Sequence, residues 1–326
     1  MQKILVTGST GFIGSHLVGK LCDRYKLICI VRDGNRIKSF KSKNIKVVFC
    51  DLANKRLLMK IFYNYSFDTV IHLAYEELGK DSKKVYKKNL RLTNNLLECI
   101  AEKKIKHFIF MSTCAIYDKI PMGKKANEDY QINAKSYYAK SKIKSEKLIK
   151  KYASRFSFSY TIFRAHMVYG DGDKNISELI SLMKKSKIIP LINNGNYYVQ
   201  PMFAGDVISA LVKSINNKKV FNKTYNLAGL APVLFKDLAI LISKEINSKK
   251  IFINVPFIVI LPEIYLLELL SRIVHRSLWI NRTIIKRAIQ NSAYNISKVK
   301  KDLNLKPMTI EEGIKRIINK NEYNIN

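Results

Sequence analysis

The first fourteen residues, MQKILVTGSTGFIG, constrain this chain most. Residues 3–6 are a short apolar run, and Gly8, Gly11 and Gly14 follow it in a G-x-x-G-x-x-G spacing that opens SHLVGKLC, a segment of helical period. This is the pattern of a buried strand that breaks into a glycine turn and re-enters as a helix. Gly8 permits the tight turn, Gly11 lets backbone approach a pyrophosphate without an intervening Cβ, and Gly14 lets the helix pack closely on the sheet. The freed N–H groups and the positive end of the helix dipole then face an anion. An ordinary βα turn would use one such glycine; three in register between a strand and a helix point to a dinucleotide.

The segments that follow repeat the alternation. Residues 27–31 are a second strand ending at Arg32, where a guanidinium can pair with an adenosine 2′-phosphate but cannot accept from a ribose hydroxyl; Asp33 is the competing ribose acceptor, and Arg36 and Lys38 lie close behind. Residues 45–50 form a third strand ending at Asp51, which either accepts from the adenine amino group or caps the helix of residues 57–63. Residues 68–74 are a fourth strand whose end, Leu73 and Ala74, lines the cofactor, with His72 packed inside it. A helix over 89–103 leads to a fifth strand, HFIFMST, ending in the Ser112 and Thr113 hydroxyls. Repeated βα units imply a doubly wound parallel sheet, and ligands bind such sheets beyond the strand C-termini, where Thr113 stands. The next helix starts near Ser136 and carries Tyr138 and Lys142 four residues apart on one face, the arrangement by which an ammonium lowers a phenol's pKa.

Composition narrows the class. The chain has 326 residues, 47% of them hydrophobic, a formal charge of +33 and a pI near 9.9. Its lysines are spread among Asn and Ile rather than clustered, so the charge favours anionic small molecules or acidic lipid surfaces over a nucleic-acid groove. Five cysteines, Cys22, Cys29, Cys50, Cys99 and Cys114, lack C-x-x-C spacing and read as reduced core residues of a cytosolic protein; no metal site and no leader are expected. Residues 255–274 are strongly apolar, but Pro262, Glu263 and Glu268 interrupt them before a spanning length is reached. They read as a buried helix, a dimer contact or a weak peripheral membrane contact.

Taken together, TGSTGFIG, CDL, VIHLA, FMSTCAIY and YYAKSK resemble the extended short-chain dehydrogenase/reductase family, which includes nucleotide-sugar epimerases and dehydratases. The separation of 25 positions between Thr113 and Tyr138 matches that family's spacing. The resemblance implies a Rossmann-type doubly wound sheet, over 1–165 with 201–229 returning to it, and a small substrate-binding region over 166–200 and 230–326. It implies that Gly8, Thr10, Gly11, Phe12, Ile13, Gly14, Arg32, Asp51, Leu52, Leu73, Ala74, Tyr138 and Lys142 hold NADP or NAD. Tyr138 is then the general acid/base, Lys142 tunes it and binds the nicotinamide ribose, Thr113 bonds the reacting oxygen, and Asn89 anchors the active-site network. Tyr169 fits the substrate-side loop, and the helices near 89–103 and 136–152 imply a homodimer.

Three departures sharpen this reading. Cys114 and Ala115 replace the acidic pair with which the dehydratases eliminate water, which leaves keto reduction, alcohol oxidation or epimerisation. Val199 stands where nucleotide-sugar enzymes usually carry an arginine, and Ala165 where the family usually has proline. A nucleotide-activated sugar is the substrate class implied, with a hydroxysteroid or lipid substrate, or a catalytically silent dinucleotide-binding subunit, as the rivals.

Overall fold

A computed structural model describes residues 1–32, 42–76, 82–173, 176–260, 262 and 289–323. Seven strands form one sheet: β1 (Lys3–Thr7), β2 (Lys26–Val31), β3 (Ile45–Phe49), β4 (Thr69–His72), β5 (His107–Thr113), β6 (Ser159–Ala165) and β11 (Lys223–Leu227). Their order is β11-β6-β5-β4-β1-β2-β3, with every pair parallel. The chain winds outward from β1 to β3, returns past β1 to β4, and winds the other way, so the strand order reverses between β1 and β4. That reversal opens a crevice at the strand C-termini.

Period-two alternation explains how the sheet is covered on both faces. Ile4, Val6, Cys29, Ile109, Met111 and Phe163 face one apolar cluster, which they share with Leu17 and Leu21 of α1 (Phe12–Leu21), Val207 and Leu211 of α6 (Ala204–Ser214) and Val299 of α8 (Ser297–Leu303). Leu5, Ile28, Ile30, Val70, Phe108 and Ile162 face the opposite cluster, with Leu58 and Phe62 of α2 (Lys55–Asn64), Leu96 and Ile100 of α3 (Lys83–Ala101) and Ile149 of α4 (Tyr137–Phe156).

A third cluster gathers Tyr169 of β7 (Val168–Tyr169), Ile180 and Met183 of α5 (Ile176–Lys185), and Ile189 and Leu191 of β8 (Ile188–Ile192). It is completed by Leu238 and Ile242 of α7 (Phe235–Glu245) and Ile314 and Ile317 of α9 (Ile310–Tyr323). Short ribbons surround it. β7 pairs with β10 (Met202–Phe203), β9 (Tyr198–Val199) with β12 (Val233–Leu234), and β8 with β13 (Ile251–Val255).

Several element boundaries differ from the sequence reading. Helix α3 begins at Lys83 rather than 89, because the Ser82 side chain accepts from Val85 N and caps it; the lysine run at 83–88 masks the apolar period there. Asn54, not Asp51, caps α2, accepting from Leu57 N at 3.1 Å. Most of 255–274 lies outside the described residues, as do Asp33, Arg36 and Lys38. Among the described residues no helix is long and apolar enough to cross a membrane.

Candidate active site

The crevice holds a cavity of about 480 Å³ lined at one end by the glycine turn and at the other by the Thr113, Tyr138 and Lys142 side chains. The turn is tight. Gly8 sits at φ +70°, its carbonyl accepts from Gly11 N at 3.0 Å, and a Cβ on Gly8 would meet the Ala74 backbone nitrogen at 2.6 Å. A Cβ on Gly14 would lie 2.0 Å from the Gly8 oxygen. The sequence therefore has no alternative to glycine at these two positions, and Gly8, Gly11, Phe12, Ile13 and Gly14 form the cavity wall where α1 begins. This cradle fits a pyrophosphate.

The chemical groups come from β5 and α4. Thr113 ends β5, and its Oγ1 accepts from Ala115 N at 3.1 Å, starting a short 3-10 turn over Cys114–Ile116. Ser136 caps α4 by accepting from Ala139 N, so Tyr138 and Lys142 lie one turn apart within the first two turns of the helix. Both are buried, as is Thr113. The Lys142 ammonium donates to Met111 O at 2.7 Å and lies 5.8 Å from the centre of the Tyr138 ring. Burial pushes Lys142 down to about 7, with Glu146 acting in the opposite direction. His72 is the packed histidine expected from its strand: it bonds Thr7 and Thr93, and burial, then Lys142, push it down to about 3, so it is neutral.

Beneath these residues runs a buried ionic network that sequence reasoning missed. Arg164 of β6 makes a two-point pair with Glu146, Nη2 to Oε2 at 2.7 Å and Nε to Oε1 at 3.1 Å, and both side chains are almost wholly buried. Glu146 also accepts from Ser112 Oγ, while Arg164 Nη1 donates to Tyr117 Oη and Glu128 O. Tyr117 in turn donates to Asn226 Oδ1 at 2.6 Å. The network ties α4, β5, β6 and β11 together below the cavity, and its Glu146 carboxylate favours the charged form of Lys142. Its one sequence signal was an acid four residues after Lys142, on the same helical face.

Other residues singled out from the sequence sit away from the wall. Arg32 Nη1 pairs with Glu76 Oε1 at 2.7 Å, and Lys88 pairs with the same carboxylate, which Lys88 first and Arg32 second hold below the usual carboxylate range. Asp51 Oδ1 accepts from Ala53 N, Leu52 is buried in the α2–α3 cluster, and Ala74 N donates to Thr7 Oγ1. Thr10 is half-buried in the turn without reaching the wall. Asn89 is buried on α3, where its Oδ1 accepts from Glu76 N at 2.8 Å and its Nδ2 finds no partner; it fixes the chain after β4 and does not line the cavity. Tyr169, expected on the substrate-side loop, does not line the cavity. It is 1% exposed, inside the third cluster, because β7 pairs it with Phe203 of β10 and turns its ring inward.

The rest of the cavity wall includes Tyr117, Asp118, Ile120, Met167, Val199 and Tyr294, with Gln290, Asn291 and Ser292 beside them. Among the described residues that line the cavity, Lys142 is the only Lys or Arg. Met167 lies at φ +37°, in the left-handed region that a non-glycine residue occupies at a cost of about 1–3 kcal/mol.

A glycine-turn cradle thus faces a Thr, Tyr and Lys constellation across one crevice of a Rossmann-type doubly wound sheet. The chain belongs to the NAD dependent epimerase/dehydratase family, which it matches over residues 4–228. It is 28% identical to a dTDP-D-glucose 4,6-dehydratase of Dictyostelium discoideum over 70% of this chain and 58% of that protein. It is 32% identical to a UDP-glucose 4-epimerase of Pisum sativum over 45% of this chain and 46% of that protein. The chain thus spans about half the length of these relatives. A UDP-glucose 4-epimerase of Thermotoga maritima, solved with UDP-glucose, has the same fold: the TM-score is 0.82 over 100% of both chains, at 21% identity.

Proposed function

We propose that this protein is an NAD(P)-dependent epimerase of a nucleotide-activated sugar, working by hydride transfer with Tyr138 as general acid/base. The observation that carries the reading is the single cavity that joins the glycine turn to Thr113, Tyr138 and Lys142. The bound nicotinamide supplies the hydride acceptor and donor. Gly11 and Gly14 leave the backbone free to take the pyrophosphate, and Lys142 would hold the nicotinamide ribose. Thr113 holds the reacting oxygen while the Tyr138 phenolate, which the Lys142 ammonium stabilises, takes its proton and becomes the phenol. Once the ketone has presented its other face, the hydride would return to that face while the Tyr138 phenol gives its proton back to the oxygen, and the carbon is inverted.

Epimerisation is favoured over dehydration by the chemistry at the end of β5. Elimination of water needs an acid and a base, yet Cys114 is buried with its thiol donating to Arg164 O, and Ala115 has no functional group. Asp118 is the single acidic side chain on the described wall, and the Lys119 backbone and Asn133 hold it below the usual carboxylate range, which makes it a poor proton donor. A lipid-type alcohol is a second reading, favoured by the apolar side chains of Ile120, Met167 and Val199 where a phosphate partner is expected.

Incubation of the protein with UDP- and dTDP-hexoses and either cofactor, followed by proton NMR, tests this. The expected result is interconversion of C4 epimers without loss of water. A 4-keto-6-deoxy product overturns the mechanism, and turnover confined to hydroxysteroids overturns the substrate class.

A further inference from the structure

We propose that the outward face of the β8–β13 ribbon docks on an anionic lipid surface. The register pairs Ile251 with Ile188, Ile253 with Pro190 and Val255 with Ile192. Side chains alternate along a strand, so these six residues share one face, while Ile189 and Leu191 point the other way into the third cluster. That outward face is apolar at every position. Ile188 is 51% exposed, Ile251 61% and Ile253 45%, and Ile258 and Val259 continue the exposed surface beyond β13. Phe257 N donates to Asn193 Oδ1, which tethers this continuation to the end of β8.

The charge around the face selects the occupant. Lys184 and Lys185 at the end of α5, Lys187, Lys249 and Lys250 gather where both strands begin, and Ile251 N donates to Lys187 O across them. Neither 179–192 nor 246–260 contains an Asp or Glu. A second copy of the chain on this face would bring the same five lysines against each other. An acidic bilayer satisfies both features, taking the isoleucines at the headgroup boundary and the ammonium groups among its phosphates. β8 leads through the turn at Asn193–Gly195 to Val199 on the cavity wall, so the docked ribbon would hold the substrate side near the lipid.

Flotation of the full chain with phosphatidylglycerol–phosphatidylcholine vesicles, against phosphatidylcholine alone, tests the proposal without reference to activity. The expected result is binding to the anionic vesicles only, weakening as salt rises. Ile188→Asp with Ile251→Asp should abolish it, and Lys184→Glu, Lys185→Glu and Lys187→Glu together should weaken it on the order of a hundredfold. Far-UV circular dichroism confirms that each variant is folded, and the lipid-charge and salt dependence of the wild type stand without any variant. Three results would overturn the proposal: no flotation at low salt, flotation that survives both ribbon variants but is lost with Lys144→Glu and Lys147→Glu on α4, or self-association that the isoleucine variant removes.

Discussion

Tyr138 is where the proposed chemistry is most exposed to test, because Tyr138→Phe removes the transferable proton and leaves the cradle of glycines intact. Turnover should fall by roughly 10²–10⁴ while cofactor titration is unchanged; retained turnover refutes the general-acid role. Lys142 makes a separate prediction through its burial. Its folded value of about 7 lies below its ordinary 10.5, so between those limits the unfolded chain binds more protons and stability rises with pH. Lys142→Met has no such proton, so its melting-temperature advantage over wild type should shrink from pH 7 to pH 10. A constant difference would mean that Lys142 titrates normally. Arg32 bears on cofactor choice. With Lys88 it places two cations around the one Glu76 carboxylate, leaving positive charge at the end of β2 for a 2′-phosphate. NADP should bind about ten- to a hundredfold more tightly than NAD, and Arg32→Asp should reverse the order. Titration of both cofactors at one salt concentration decides it.

At the scale of elements, α3 and α4 carry the proposed homodimer contact. They pack on one another within the chain, and their outer faces expose Lys83, Lys84, Lys87 and Arg91 on α3 and Lys140, Lys144, Lys147 and Lys151 on α4. Two copies meeting there would oppose like charges, so the dimer should tighten as salt rises, the reverse of the vesicle binding above. A monomer at micromolar concentration in high salt, by sedimentation, would remove the contact. These helices also show what the sequence made legible. Strands β1, β2 and β5 and the glycine turn were readable because period and turn chemistry agree over a few adjacent residues, and Tyr138 and Lys142 because helical spacing is local. The Arg164–Glu146–Tyr117–Asn226 network was not, since its members lie up to 109 positions apart and only the β5–β6–β11 register brings them together. The burial of Tyr169 was illegible for the same reason: its strand is two residues long and pairs with β10, more than 30 positions on.

For the whole molecule, a formal charge of +33 means that folding concentrates repulsion which the extended chain disperses. Its thermal midpoint should therefore rise with added sodium chloride; a midpoint insensitive to salt would show that the lysines are far enough apart to ignore one another. The position of β11 matters in biosynthesis. It is the last strand of the seven to be translated, yet it closes the β6 edge, and its Asn226 supplies the acceptor for Tyr117. A ribosome that has not yet released residue 226 holds a chain in which the β6 edge is unpaired and the Tyr117 hydroxyl lacks its acceptor. Such an edge can pair with another chain. Between translation of β6 and of β11 the nascent protein therefore carries β6 as its edge, the position that β11 takes in the finished sheet.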